Sequence, residues 1–139
     1  MPIFYDTNIL IYSVGLNPEE SDKTVIAKAL LDREDWNVSV QVLQEFFVQA
    51  TRPSRAARLS SGMAAEFIAT WRRQPVQEMT LAILDEAIAI HRRYSLSYWD
   101  SAIVAAAKAQ RCDRLYSEDL ADGQEVAGVR ISDPFREIA

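Results

Sequence analysis

The sequence has one cysteine, Cys112, and one histidine, His91, in 139 residues. A lone cysteine excludes an intramolecular disulfide and any cysteine-rich zinc site, and it agrees with a reducing compartment. Cys112 is expected to be a small buried apolar residue rather than a nucleophile. Any Ser-His-Asp or other histidine-based mechanism would depend on His91, yet the adjoining Arg92, Arg93 and Tyr94 read as an exposed helix end, which places His91 outside the site. No apolar run approaches the ~20 residues needed to span a bilayer, and the N-terminus lacks the charged and apolar regions of a signal peptide. The expectation is a cytoplasmic protein with no membrane contact. Positive charge is also short: 15 Lys and Arg stand against 20 Asp and Glu, a formal net charge of -5. That argues against a passive nucleic-acid binder, which neutralises phosphates with a basic surface. It leaves room for an enzyme whose acids hold a cation, because a bound divalent ion reverses the local charge and lets clustered carboxylates face a polyanion.

What is present, 49% hydrophobic residues, can bury one sizeable core, so residues 1–139 are expected to form a single domain. Short β-type runs alternate with longer helical patterns, which predicts an α/β fold with a parallel sheet covered by helices. Ile3-Phe4-Tyr5 reads as a strand buried on both faces, and helical spacing resumes at Asn8. Asp6 therefore stands at the C-terminal end of a strand, where ligands bind in parallel α/β sheets. A carboxylate there also suits a helix cap, and the residues alone leave both roles open. Asn17, Pro18 and Glu20 have capping-box spacing before a helix with Val25, Ile26, Ala29 and Leu30 on one face. Trp36-Asn37-Val38 reads as a second short strand, with Trp36 in the core. Ser39 caps a third helix, in which Val40, Leu43, Phe47 and Ala50 recur with Phe46 beside them and Glu45 at the edge of the band. A lone Glu on a helix usually faces water, and that reading stands beside the functional one. Ser60 or Ser61 starts a fourth helix with Ala64, Phe67, Ile68 and Trp71 on one side. Pro75 to Met79 reads as an edge strand, and Thr80 caps a fifth helix carrying Leu81, Leu84, Ala87, Ile88 and His91.

Two later stretches also carry acids. Ser97 and Asp100 have capping-box spacing at the start of an alanine-rich helix that can pack closely on the sheet. Arg114-Leu115-Tyr116 is a β-type run that hands Ser117, Glu118, Asp119 and Asp122 to an acidic turn. Val129-Arg130-Ile131 reads as the strand that closes the sheet before Asp133-Pro134-Phe135 turns away. Asp6, Glu45, Asp100 and Asp119 can thus share one sheet edge, with Glu118 or Asp122 able to take part of Asp119's role. Carboxylates held close together raise one another's pKa values unless a cation sits among them. Oxygen ligands without usable His or Cys point to Mg²⁺ or Mn²⁺ rather than zinc. Asp6 and Asp100 are then the direct ligands, and Glu45 and Asp119 bind a second ion or orient an attacking water in phosphodiester hydrolysis.

At these residues the chain resembles the PIN-domain nucleases, and within them the VapC-like ribonuclease toxins of type II toxin–antitoxin systems. The resemblance is carried by Tyr5-Asp6-Thr7-Asn8-Ile9-Leu10, Leu96-Ser97-Tyr98-Trp99-Asp100-Ser101-Ala102-Ile103, and Leu115-Tyr116-Ser117-Glu118-Asp119-Leu120 with Gly123 after it. It implies a three-layer α/β/α sandwich and a metal-dependent endoribonuclease whose four acids map to Asp6, Glu45, Asp100 and Asp119. It further implies that Thr7 and Ser117 assist as hydroxyl donors, that the chain forms a homodimer, and that a small antitoxin covers the acidic groove. Where the family often closes on Asn-Pro-Phe, this chain has Asp133-Pro134-Phe135.

Arg52, Arg55, Arg58, Arg72 and Arg73 can contact RNA phosphates or form a solvated basic face. Trp99 can stack on a base, but beside Asp100 on an apolar helix start it is expected to pack inward. A strand-end Asp also suits a haloacid-dehalogenase-like phosphatase, but such enzymes want a second Asp two residues on, where this chain has Asn8. A non-catalytic adaptor of the same fold would tolerate loss of an acid, and all four are retained.

Overall fold

Ile3, Phe4 and Tyr5 form the first strand, β1 (Ile3–Tyr5), and all three side chains are buried, as expected for a strand covered on both faces. The computed structural model describes residues 1–136. After β1 come helices α1 (Thr7–Ser13) and α2 (Ser21–Leu31), with a 3-10 turn at Pro18–Glu20 between them, then β2 (Trp36–Ser39). Helices α3 (Val40–Ala50) and α4 (Ser61–Trp71) lead to β3 (Val76–Gln77), and α5 (Leu81–Tyr94) and α6 (Tyr98–Ala109) to β4 (Arg114–Tyr116). The chain ends in β5 (Glu125–Val126) and β6 (Val129–Ser132). Among the described residues no helix is long and apolar enough to cross a membrane.

The sheet order is β3-β2-β1-β4-β6-β5, parallel except for the β5–β6 pair. From β1 the chain adds β2 and β3 outward on one side, then returns to place β4 on the other side of β1. Right-handed crossovers consequently put α1 to α4 on one face and α5 and α6 on the other, giving a three-layer α/β/α sandwich. The reversal between β1 and β4 is the switch point at which open α/β sheets form a ligand crevice.

Local signals started the helices as expected. Ser39, Ser60, Thr80 and Ser97 each accept a hydrogen bond from the backbone N–H three residues on. Core packing centres on Phe46, fully buried, with its ring against Trp71 and Phe67, and on Tyr5 stacked against Trp36.

Several expected faces are corrected. In α2 the buried residue is Ala27, whereas Val25 is 70% exposed. Asn17 accepts from Glu19 N–H and opens the 3-10 turn, and α2 proper begins later, at Ser21. In α5 the buried stripe is Ile83, Ala87 and Ile90, one helical row away from Leu81, Leu84 and Ile88, which face outward. Apolar residues on two adjoining rows make the inward row ambiguous until a partner surface is chosen. Similarly, Phe46 rather than Phe47 is the fully buried aromatic of α3. The final strand does not close the sheet either: β6 lies between β4 and the hairpin strand β5, which forms the edge. His91 lies exposed near the end of α5, and Cys112 is buried.

Candidate active site

Asp6 sits where β1 ends and α1 begins, held by its own backbone N–H donating to Tyr116 O of β4 at 3.0 Å. Its side chain is only 5% exposed. Thr7 N–H donates to Oδ1 at 2.7 Å, and Ser117 Oγ donates to Oδ2 at 2.7 Å from the end of β4. The carboxylate thus caps α1 through Oδ1 and is tied to the end of β4 through Oδ2. Burial pushes its pKa up to about 6, the hydrogen bonds from Ser117 and Thr7 pull it down, and the charges of Asp119 and Glu45 push it up again.

Those two acids are tied to neighbours of Asp6. Thr7 Oγ1 donates to Glu45 Oε1 at 2.8 Å, so Glu45 leans from α3 toward the switch point instead of pointing away into water. Asn8 Nδ2 donates to Asp119 Oδ2 at 3.3 Å, and Asp119 N–H donates to Ser117 Oγ at 3.1 Å. Asp6, Thr7, Glu45, Ser117 and Asp119 therefore form one hydrogen-bonded group spanning β1, α1, α3 and the loop after β4.

Asp100 lies in the first turn of α6, half-buried, and its N–H donates to Ser97 Oγ at 3.1 Å. It makes no side-chain hydrogen bond with the other three acids. The start of α6 is nevertheless fastened to α3, because Gln41 Nε2 donates to Trp99 O at 3.1 Å one helical turn before Glu45.

Glu118 and Asp122 are engaged elsewhere. Glu118 accepts from Tyr12 Oη and from Lys23 Nζ, both at 2.5 Å, which turns it toward α1 and α2. Asp122 accepts from Asp133 N–H at 2.8 Å and pairs with Arg136. The network of Tyr12, Lys23 and Glu118, and the role of Asn8, were missed in the sequence. Only the presence of Asn8 in the Asp-Thr-Asn stretch hinted at them.

The arginines are divided. Arg52 shares a shallow groove with Gln44, Glu45, Val48 and Gln49. Arg55 donates to the Gln49 carbonyl in the last turn of α3 and Arg58 to the Pro53 carbonyl in the loop, and Arg72 lines a separate cavity with Glu78 between α3, α4 and β3. Trp99 does not pack inward: it is 62% exposed.

Among the described residues, no three His, Cys, Asp or Glu side chains are placed as a ready metal-binding group. The donors are all hard oxygens, and Mg²⁺ takes only one or two protein carboxylates directly. A carboxylate sealed among other acids is the kind of group whose ionisation a cation favours. The donor set fits such an ion.

The fold is shared with known structures at low sequence identity. A chain of a toxin–antitoxin complex from Klebsiella pneumoniae superposes with a TM-score of 0.68 at 18% identity, covering 95% of this chain and 97% of that one. VapC20 of Mycobacterium tuberculosis, a toxin that cleaves the sarcin–ricin loop, superposes with a TM-score of 0.65 at 20% identity over 92% and 98%. VapBC2 from Rickettsia felis, bound to a DNA fragment from its promoter, gives 0.66 at 12% identity over 96% and 98%. Among curated proteins none matches by sequence. The family model for the PIN domain matches residues 3–124, a span that holds every strand from β1 to β4 and all the acids of the switch point; the chain belongs to the PIN domain family.

Proposed function

We propose that this chain is a metal-dependent endoribonuclease, with Asp6, Glu45, Asp100 and Asp119 as its acids and Thr7 and Ser117 as supporting hydroxyls, and that it acts as the toxin of a toxin–antitoxin pair. The observation that carries the reading is the buried carboxylate of Asp6 at the β1–β4 switch point, joined through hydroxyls and backbone to Glu45 and Asp119. PIN domains generally depend on a divalent metal. Asp6 and Asp100 would hold Mg²⁺ or Mn²⁺, which when bound supplies positive charge to the scissile phosphate and acidifies water.

The protein's own contribution is orientation. Ser117 and the Thr7 N–H fix both oxygens of Asp6, so its carboxylate cannot rotate away from the crevice. The Thr7 hydroxyl holds Glu45, and Asn8 holds Asp119, leaving each with a free oxygen to accept a proton from, and so position, the attacking water. Arg52, beside Glu45, is placed to meet a phosphate of the same strand. Asn8 acts here as an amide donor where a haloacid-dehalogenase-like phosphatase needs an acid, which counts against phosphotransfer.

A protein partner is supported by the apolar residues left outside the core, Met63, Phe67, Leu81, Leu84 and Ile88 among them. A toxin–antitoxin complex is among the similar structures, which supports an antitoxin as one occupant; a second copy of this chain is proposed as another on the family resemblance alone. RNA is the proposed substrate, in line with VapC20.

The test is incubation of antitoxin-free protein with a mixed tRNA and ribosomal RNA pool, in Mn²⁺ or chelator, beside Asp6→Asn and Asp100→Asn. Discrete fragments from the wild type, only with metal, are expected. Equal cutting by wild type and variants would overturn the assignment.

A further inference from the structure

We propose that Trp99, Gln41 and Gln44 form a subsite for one unpaired nucleobase of the RNA, which stacks on the indole with an exocyclic amino group directed to the Gln41 carboxamide. The proposal rests on the ribonuclease reading and names how that site takes hold of its substrate.

Trp99 stands apart from the other tryptophans. Trp36 and Trp71 are 3% and 5% exposed, and Trp99 is 62% exposed on the first turn of α6, next to Asp100. Its position is braced rather than loose. The Tyr98 ring meets it edge-on at 5.0 Å, and its carbonyl receives the Gln41 amide. An exposed indole held in this way is a stacking platform, and every base has a π-face to offer.

Between Trp99 and α3 lies a pocket of about 230 Å³ lined by Gln41, Gln44, Glu45 and Trp99. That is below the ~300–1,000 Å³ of drug-sized sites, so it suits one planar ring. Its walls are mostly apolar, the Trp99 ring and the side-chain stems of Gln41, Gln44 and Glu45, with two amides and a carboxylate at their edge, which matches the π-face and polar edge of a base. Gln41 is 5% exposed, and because its Nε2 is committed to the Trp99 carbonyl, its Oε1 must be the free end of the amide. That Oε1 is buried without any hydrogen-bond partner. An acceptor of this kind is costly to leave unmade, and the exocyclic amino group of adenine, cytosine or guanine would satisfy it; uracil offers only its N3–H, set between two carbonyls that would face the same acceptor. Oε1 is sealed from solvent in the free chain, so it meets the amino group once the Gln41 side chain shifts toward the pocket it lines, the indole staying in place.

Glu45 links this pocket to the acidic group, since it lines the pocket and also accepts from Thr7 beside Asp6. A base seated here thus anchors the nucleotide next to the phosphate to be cut. Stacking would add binding that does not depend on the chain's net charge of -5, beside the phosphate contact proposed for Arg52.

The test uses the fluorescence of Trp99, the tryptophan open to collisional quenchers. In chelator, short oligoadenylate, oligocytidylate and oligouridylate are titrated into wild type, Trp99→Ala and Trp99→Phe, and folding is checked by melting. Saturable quenching by adenylate or cytidylate in preference to uridylate, absent in Trp99→Ala, is expected. In the metal-dependent cleavage assay Trp99→Ala should lose roughly ten- to a hundredfold in kcat/KM, with Trp99→Phe largely retaining cleavage at the same bonds. Quenching that persists in Trp99→Ala, or Trp99 quenched by an antitoxin peptide but by no oligonucleotide, would overturn the subsite. If wild type and Trp99→Ala cut the same bonds at the same rate, the subsite fails while the nuclease stands. Base-selective quenching in a protein that cuts nothing keeps the subsite and removes the nuclease reading.

Discussion

Replacing Asp6 with Asn should stabilise the metal-free protein near neutral pH, although it removes a central residue of the proposed site. An ordinary aspartate titrates at 3.8, and burial, joined by the charges of Asp119 and Glu45, pushes Asp6 up to about 6. At pH 7 and above the carboxylate is ionised in both folded and unfolded chains, and the folded chain carries the cost. The interval between the two values corresponds to ~3 kcal/mol, at 1.36 kcal/mol per pH unit. That figure already contains the charge-assisted hydrogen bonds from Thr7 N–H and Ser117 Oγ, which hold the value below what burial alone would give. Asn keeps an oxygen for Thr7, and the Ser117 hydroxyl can rotate to accept from the new amide. The gain should be ~3 kcal/mol, a rise in Tm of roughly 6–12 °C at 2–4 °C per kcal/mol for a chain near this size. Because the folded pKa is raised, the unfolded chain ionises first as pH climbs from 3.8, and wild-type stability falls until about pH 6 and then levels. The advantage of Asp6→Asn should therefore be full at pH 7.5, about half at pH 5, and gone near pH 3.5. Urea denaturation of both proteins in chelator at those three pH values is the assay. A variant less stable than wild type by about 1 kcal/mol or more at pH 7.5 would mean that the ionised Asp6 stabilises the fold, as a helix cap does.

Two further outcomes follow from the same geometry. Glu118 is turned to Lys23 and Tyr12 whereas Asp119 joins Asn8 and Ser117, so Glu118→Gln should lower metal-dependent cleavage by less than about threefold, and Asp119→Asn should lower it by roughly tenfold or more; single-turnover cleavage by the two variants checks this. Phe46, fully buried against Phe67 and Trp71, should cost ~3–5 kcal/mol on change to Ala, read as a shift in the urea midpoint at unchanged slope.

Much of the architecture is written in local chemistry. The apolar run Ile3-Phe4-Tyr5 declares a doubly covered strand, and the serines and threonine at 39, 60, 80 and 97 declare helix starts, because caps and strand burial depend on residues adjacent in the chain. Asp6 is legible for the same reason, at a strand end before a helix. The inward rows of α2 and α5 are not, since Val25 and Leu81 satisfy helical spacing as well as Ala27 and Ile83 do, and only the packed neighbour selects between adjoining rows. The edge role of β5 is hidden likewise, a two-residue strand defined by its pairing with β6.

At the site, the sequence pointed to Asp6, Asp100 and Asp119 at strand ends and helix starts and to Glu45 within α3, and the family resemblance added the hydroxyls of Thr7 and Ser117. Only the tertiary structure decided how they are joined. Return of the chain across β1 to lay down β4 brings Ser117 against Asp6, 111 positions away, and the fold of α3 brings Glu45 to Thr7. It also decided that Glu118 belongs to Lys23 and that Trp99 faces outward beside an unpaired amide oxygen. Contacts between residues remote in sequence depend on strand order and helix packing, which arise from the whole core at once, and no local pattern of spacing or polarity encodes them.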